Sequence, residues 1–174
     1  MHTTPILESA RVVSASAPVP AAATPAVLPP VVAPHVDASL TPILVADDDP
    51  DDRYFITRFI AKTGVKNPVK VFDDGTELVN YLGARLAHAT GRHREPQLLF
   101  LDLKMHGLGG FGFLEWARQQ PGLAALTIVV LSNSAEPADM EKARELGAHR
   151  YLVKYPSVQT ITTIVRSVHP FTLA

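Results

Sequence analysis

The chain has 174 residues, with 16 Lys+Arg against 17 Asp+Glu for a formal net charge of −1, and 47% of its residues are hydrophobic. That length suits one globular domain plus an appendage with enough apolar content for a real core, while the balanced charge lacks the cationic footprint of a nucleic-acid binder. The lack of cysteine excludes a disulfide framework, a thiolate nucleophile and cysteine-ligated zinc, and it agrees with a reducing compartment, read here as the cytoplasm.

The start, MHTTPILESARVV, has neither the basic segment nor the sustained apolar stretch of a secretory signal, and no uninterrupted apolar run reaches membrane-spanning length. A soluble chain is expected. Residues 1–40 are dense in Pro, Ala and Val, with Glu8, Arg11 and Asp37 as their charged groups. Proline deletes backbone donors and forbids long helices, and the Ala and Val show no period that could form a buried face. A disordered tail is therefore expected over 1–40, with a docking peptide in TPAVLPPVVAP as the alternative, and a folded domain over 41–174.

From Thr41 onward short apolar runs alternate with amphipathic stretches. PILVA leads into five aspartates, Asp47, Asp48, Asp49, Asp51 and Asp52. DPDDRYFITRFIAKTG then predicts a helix with Asp49 as N-cap, Pro50 at its first position, Phe55, Ile56, Phe59 and Ile60 on one stripe, and Gly64 as its stop. The same alternation recurs four times. VKVF precedes TELVNYLGARLAH, QLLFLD precedes GFGFLEWARQQ, TIVVLS precedes PADMEKARELG, and RYLVK precedes SVQTITTIVRSV. Five βα units with near-continuous Val, Ile and Leu in the strands predict a parallel sheet covered on both faces.

In such sheets ligands bind beyond the carboxyl ends of the strands. The first strand ends in Asp47 and Asp48, the third in Asp102, the fourth in Ser132 and the fifth in Lys154. Singly, each has an ordinary explanation as a helix cap, a turn residue or a surface charge. Together they describe a chemistry. Carboxylates crowded at one edge repel one another unless a hard cation is present, and Mg²⁺ suits two or three of them. A carboxylate could then attack phosphorus in line, with the hydroxyl and the ammonium bonding the other phosphoryl oxygens. Asp49 is expected to cap the helix, and Asp51 and Asp52 to be first-turn charges favoured by the helix N-terminus.

LVADDDP, LLFLDLKMHGLGGFGFL, VVLSNSAEPADMEKARELGA and YLVK, in this order and spacing, closely resemble the receiver domain of two-component response regulators over about residues 41–170. The resemblance implies a flavodoxin-like (βα)5 doubly wound sheet of order 2-1-3-4-5. It implies Asp102 as phosphoacceptor, and Mg²⁺ held by Asp48, by Asp47 through water, by Asp102 and by the Lys104 main-chain carbonyl. Ser132 and Lys154 take the hydroxyl and lysine roles, and Tyr151 matches the aromatic switch position. Such a domain is not a metabolic enzyme. It takes a phosphoryl group from a sensor histidine kinase, loses it by autodephosphorylation, and signals through a conformational switch to a downstream protein or a phosphorelay. GARLAHATGRHREP resembles the longer connection of single-domain receivers paired with bacterial phytochromes. A homodimer through the last helix and the fifth strand, around YPSV, is also expected by resemblance, and neither direct nucleic-acid nor membrane binding is.

Two other readings are weighed. DDDPD nearly fits the D-x-D-x-[TV] signature of haloacid-dehalogenase-like phosphatases, with Asp47 as nucleophile, but that family needs a later acidic pair and no Asp or Glu follows Glu145. A degenerate receiver that binds partners without phosphorylation is the other. This chain departs from the receiver pattern in three places. His106 stands where proline is common, GLGG follows it, and Tyr155 separates Lys154 from Pro156, which leaves open whether the peptide after Lys154 is cis. His106 and its loop are expected to affect phosphoryl lifetime, and Asn133 to narrow the approach of water. The seven histidines, His88, His93 and His149 among them, show no metal-ligand spacing.

Overall fold

The computed structural model describes residues 40–88 and 96–168. The tail expected over 1–40 therefore lies outside the described residues but for its last position, as do His93, most of the connection before the third strand and the final residues from 169. Strands β1 (Ile43–Ala46), β2 (Val69–Phe72), β3 (Leu98–Asp102), β4 (Thr127–Ser132) and β5 (Arg150–Val153) alternate with helices α1 (Pro50–Lys62), α2 (Gly75–Ala87), α3 (Gly109–Ala117), α4 (Pro137–Glu145) and α5 (Val158–Ser167). A short 3-10 turn at Pro121–Leu123, which the periodicity does not predict, leads into β4.

The strands form one sheet in the order β2-β1-β3-β4-β5, with every pairing parallel, as expected. Parallel strands need crossovers, and the helices supply them on both faces. Alternation along β1 and β3 divides the core accordingly. Leu44, Ala46, Leu99 and Leu101 join Leu78, Leu82, Phe113 and Leu114 beneath α2 and α3. Ile43, Val45, Leu98 and Phe100 join Ile56, Ile60, Ile161 and Val165 beneath α1 and α5.

Local chemistry sets the helix starts. The Asp49 carboxylate accepts the Asp51 N–H at 2.8 Å, as its predicted role as N-cap requires, and Pro50 follows at the first position, where its missing N–H costs nothing. Asp74 caps α2 through the Glu77 N–H at 2.7 Å, and Ser157 caps α5 through the Thr160 N–H at 3.1 Å. One member of the predicted α1 stripe departs from it. Phe55 is 46% exposed, because the buried face centres on Ile56 and Ile60 and leaves Phe55 at its margin, edge-on to the Tyr155 ring at 5.7 Å.

Register brings the strand ends level. Ala46 pairs with Leu101, so Asp47 and Asp102 stand side by side one step further along, and Ser132 pairs with Val153, one residue before Lys154. Two bonds past the strand ends fix the main chain there: the Asp47 N–H donates to the Phe72 carbonyl at 3.1 Å, and the Lys154 N–H to the Ser132 carbonyl at 2.9 Å. At the start of β5, His149 is a structural residue. Its N–H donates to the Ile128 carbonyl at 2.8 Å and its Nδ1 accepts the Ile128 N–H at 3.1 Å.

Candidate functional site

The carboxyl edge of the sheet gathers Asp47 and Asp48 after β1, Asp102 at the end of β3, and Lys154 after β5. One carboxylate oxygen from each of Asp47, Asp48 and Asp102 lies within 4.8 Å of the others. This is an all-oxygen, strongly anionic donor set, which fits a hard divalent cation such as Mg²⁺. Lys104 lies two residues after Asp102, and its main-chain N–H donates to Asp102 Oδ2 at 2.9 Å.

Lys154 is the local counter-charge. Its Nζ lies 2.7 Å from Asp47 Oδ2 and 3.2 Å from Asp102 Oδ1, with only 5% of its side chain exposed. A third carboxylate completes its surroundings: Asp52 Oδ2, also at 2.7 Å. Asp52 does lie in the first turn of α1, as expected, and there its carboxylate also meets the Lys154 ammonium. It is buried, and the sequence did carry the signal, since Asp52 lies four residues before Ile56 and eight before Ile60 on the inward stripe of α1.

Electrostatics follow from this packing. Burial pushes the Asp47 carboxyl up to about 6, against the opposing pull of Lys154 and the Asp49 N–H. Burial alone would lower Lys154, but its bonds to Asp47 and Asp52 and the charge of Asp102 outweigh it, so the ammonium is held above the ordinary lysine range. Burial would raise Asp52, yet the bonds from Lys154 and the Tyr155 hydroxyl win and keep its carboxyl below the usual value.

Asp48 is engaged from the loop after β3. Its Oδ2 accepts the His106 main-chain N–H at 3.2 Å and lies 2.5 Å from His106 Nδ1. The loop itself is shaped by glycine. Gly107 has φ 69°, and a Cβ on Gly110 would fall 2.2 Å from the Asp102 carbonyl oxygen, so only glycine lets α3 start this close to β3. The Lys154–Tyr155 peptide is cis, which answers the question left open by Tyr155 in place of proline.

Ser132 is fully buried at the end of β4, and its Oγ accepts the Ser134 N–H at 3.2 Å. Tyr151 stands apart from the carboxylates. It reaches this edge through the same loop, its hydroxyl donating to the Ser134 carbonyl at 2.9 Å. Asn133 is exposed beside Ser132.

Comparison with known proteins identifies the family of this fold. The model of the response regulator receiver domain matches residues 43–166. The probable methanogenesis regulatory protein FilR2 of Methanothrix harundinacea is 26% identical over 131 residues, 75% of this chain and 83% of its own. Among solved structures, the bacteriophytochrome response regulator RtBRR is 27% identical with a TM-score of 0.64, over 78% of this chain and 81% of its own. The phosphorylated cyanobacterial phytochrome response regulator RcpA is 26% identical with a TM-score of 0.60, over 74% and 90%.

Proposed function

Since this chain belongs to the response regulator receiver domain family, we propose that it takes a phosphoryl group from a sensor histidine kinase onto Asp102 and signals through the resulting change of conformation. The observation that carries this reading is the meeting of Asp47, Asp48 and Asp102 within 4.8 Å, with the Lys154 ammonium 3.2 Å from Asp102. The phosphatase reading, with Asp47 attacking, loses its ground to family membership and to the engagement of Asp47 by Lys154 and the Asp49 N–H.

In this reading an Asp102 oxygen attacks phosphorus in line, the new O–P bond forms as the donor's N–P bond breaks, and the departing imidazole nitrogen keeps the electron pair. The Lys104 N–H orients the carboxylate. Asp47, Asp48, Asp102 and the Lys104 carbonyl would hold Mg²⁺, which neutralises charge on the phosphoryl oxygens when bound. Lys154 and the Ser132 hydroxyl bond the remaining oxygens. Because the Ser132 hydroxyl already accepts from Ser134, and Ser134 already accepts from Tyr151, a shift of Ser132 toward the phosphoryl group would reach Tyr151 through one loop. Hydrolysis reverses the charge state: water attacks phosphorus, a new O–P bond forms as the bond to Asp102 breaks, inorganic phosphate leaves, and the Asp102 carboxylate returns.

The receiver domain is assigned to residues 41–174 and the Pro/Ala-rich tail to 1–40. A phytochrome-type kinase is the favoured donor, supported by the long connection before β3 and by the names of the relatives RtBRR and RcpA. The cytoplasm is the assigned compartment, and among the described residues no helix is long and apolar enough to cross a membrane. Self-association through α5 and β5 draws support from Val153, which is 43% exposed. Sedimentation that finds a monomer at high micromolar concentration, with and without an acyl-phosphate analogue, would remove that last element.

The deciding experiment is phosphorylation with labelled acetyl phosphate and Mg²⁺, followed by mapping of the modified residue. Label at Asp102, lost in Asp102→Asn, is the expected result. Label at Asp47 would restore the phosphatase reading, and no label at all would leave a binding module that works unphosphorylated.

A further inference from the structure

Asp52 has no part in the scheme above, yet it makes one of the two shortest contacts of Lys154. Its Oδ2 lies 2.7 Å from Nζ, level with Asp47 and closer than Asp102 at 3.2 Å. An ammonium has three N–H donors. Here three carboxylates surround it, two from strand ends and one from the first turn of α1. Both partners of the Asp52–Lys154 pair are less than one-tenth exposed, so neither can exchange the other for bulk water at low cost.

The three acceptors differ in what the reaction asks of them. Asp102 gives up its carboxylate charge when it becomes an ester. Asp47 belongs to the oxygen cluster that fits the cation, and so has a second claim on its lone pairs. Asp52 is outside that cluster and does not react. It alone can keep the same bond to Lys154 before, during and after transfer. We propose that Asp52 is a positioning residue that anchors the Lys154 ammonium at the reacting edge throughout the phosphorylation cycle. It acts through Lys154 and does not touch the phosphoryl group.

The proposal rests on the phosphoacceptor reading of Asp102, so its test carries one readout that does not. On the full chain, the side-chain ammonium of Lys154 is followed by ¹⁵N–¹H NMR without acetyl phosphate, and phosphorylation is measured against acetyl phosphate concentration at saturating Mg²⁺. In Asp52→Asn the protected ammonium signal of the parent is expected to vanish into rapid exchange. The maximal phosphorylation rate is expected to fall by at least about tenfold, as for other misplaced catalytic groups, with the half-saturating acetyl phosphate concentration changed by less than about threefold. Asp52→Glu, which keeps the carboxylate, is expected to recover part of both the signal and the rate. It also serves if the Asn variant does not fold.

A parent-like ammonium signal and rate in Asp52→Asn would overturn the proposal, as would an Asp52→Glu variant that folds yet behaves like an Asn variant that also folds. Should the parent itself take up no phosphoryl group while the ammonium signal still depends on Asp52, the phosphoacceptor reading fails and the anchor stands. If uptake occurs but the signal and rate ignore position 52, the anchor fails and the reading stands.

Discussion

His106 holds Asp48 twice, through a main-chain N–H at 3.2 Å and Nδ1 at 2.5 Å, both directed at the same oxygen, Oδ2. Asp48 is also one of the three carboxylates that fit the cation, so the imidazole competes for the lone pairs that a metal would use. The imidazole is 91% exposed, and contacts of that kind are worth about 0.2–1 kcal/mol. His106→Ala should therefore tighten Mg²⁺ binding, by up to about fivefold. Titration calorimetry on chelator-treated protein measures this, and unchanged or weaker binding would refute the competition. Dephosphorylation rates of His106→Pro and the parent test the wider role of this loop, and equal rates would deny it one.

The two faces of α1 predict a sharp contrast in stability. Ile60 is fully buried against the β1 and β3 side chains, so Ile60→Ala should cost about 2–5 kcal/mol in urea unfolding. Phe55 touches Tyr155 edge-on at the surface, and Phe55→Ala should cost about 1 kcal/mol or less. Comparable losses would mean that the buried stripe is misplaced.

One kind of substitution should change sign with position. A Cβ at Gly110 meets the Asp102 carbonyl oxygen at 2.2 Å and Leu103 Cα at 2.7 Å, both main-chain atoms. Relief requires moving the end of β3, so Gly110→Ala should lower stability by about 3 kcal/mol and reduce phosphoryl uptake with it. At Gly83 in α2 the nearest atom is the Trp116 ring at 3.9 Å, and Gly83→Ala should gain about 0.5–1 kcal/mol from reduced backbone entropy. Thermal melting of the pair decides the matter, and matching signs would contradict the close approach at Gly110.

Tyr151 donates its hydroxyl to the Ser134 carbonyl at 2.9 Å. Tyr151→Phe should cost about 1 kcal/mol in the unphosphorylated protein, as one hydrogen bond does. If Ser132 draws the loop toward a phosphoryl group, a fluorotyrosine label at 151 should shift its ¹⁹F resonance on acyl phosphorylation in the parent and stay fixed in Asp102→Asn. A resonance indifferent to phosphorylation would remove Tyr151 from the switch.

Most of the fold was legible because its signals are local. Each apolar run became a strand within a residue or two, and Asp49 caps α1 through its side chain, as residue type and position required. The candidate site was legible as a set, since each member lies within two residues of a strand's carboxyl end, and parallel pairing must bring such ends together. Phe55 was placed on the wrong flank of α1, and the same cause hid the burial of Asp52. Helical periodicity defines a stripe but not the angle at which it docks, and a rotation of a few tens of degrees exchanges which flank is buried. The 3-10 turn at Pro121–Leu123 and the grip of His106 on Asp48 left no periodic trace to follow.

The order of residue types along this chain was enough to determine five βα units, the Asp49 cap of α1 and the acidic, hydroxyl and ammonium groups at the sheet edge, because those depend on backbone propensity and on the period of burial over a few residues. The tertiary structure alone decided that Lys154 is shared among Asp47, Asp52 and Asp102, and that Asp48 answers to His106. Those pairings join residues 52 to 107 positions apart, and their strength depends on ångström-scale distance and on exclusion of water, which exist only once the strands are in register and α1 has docked.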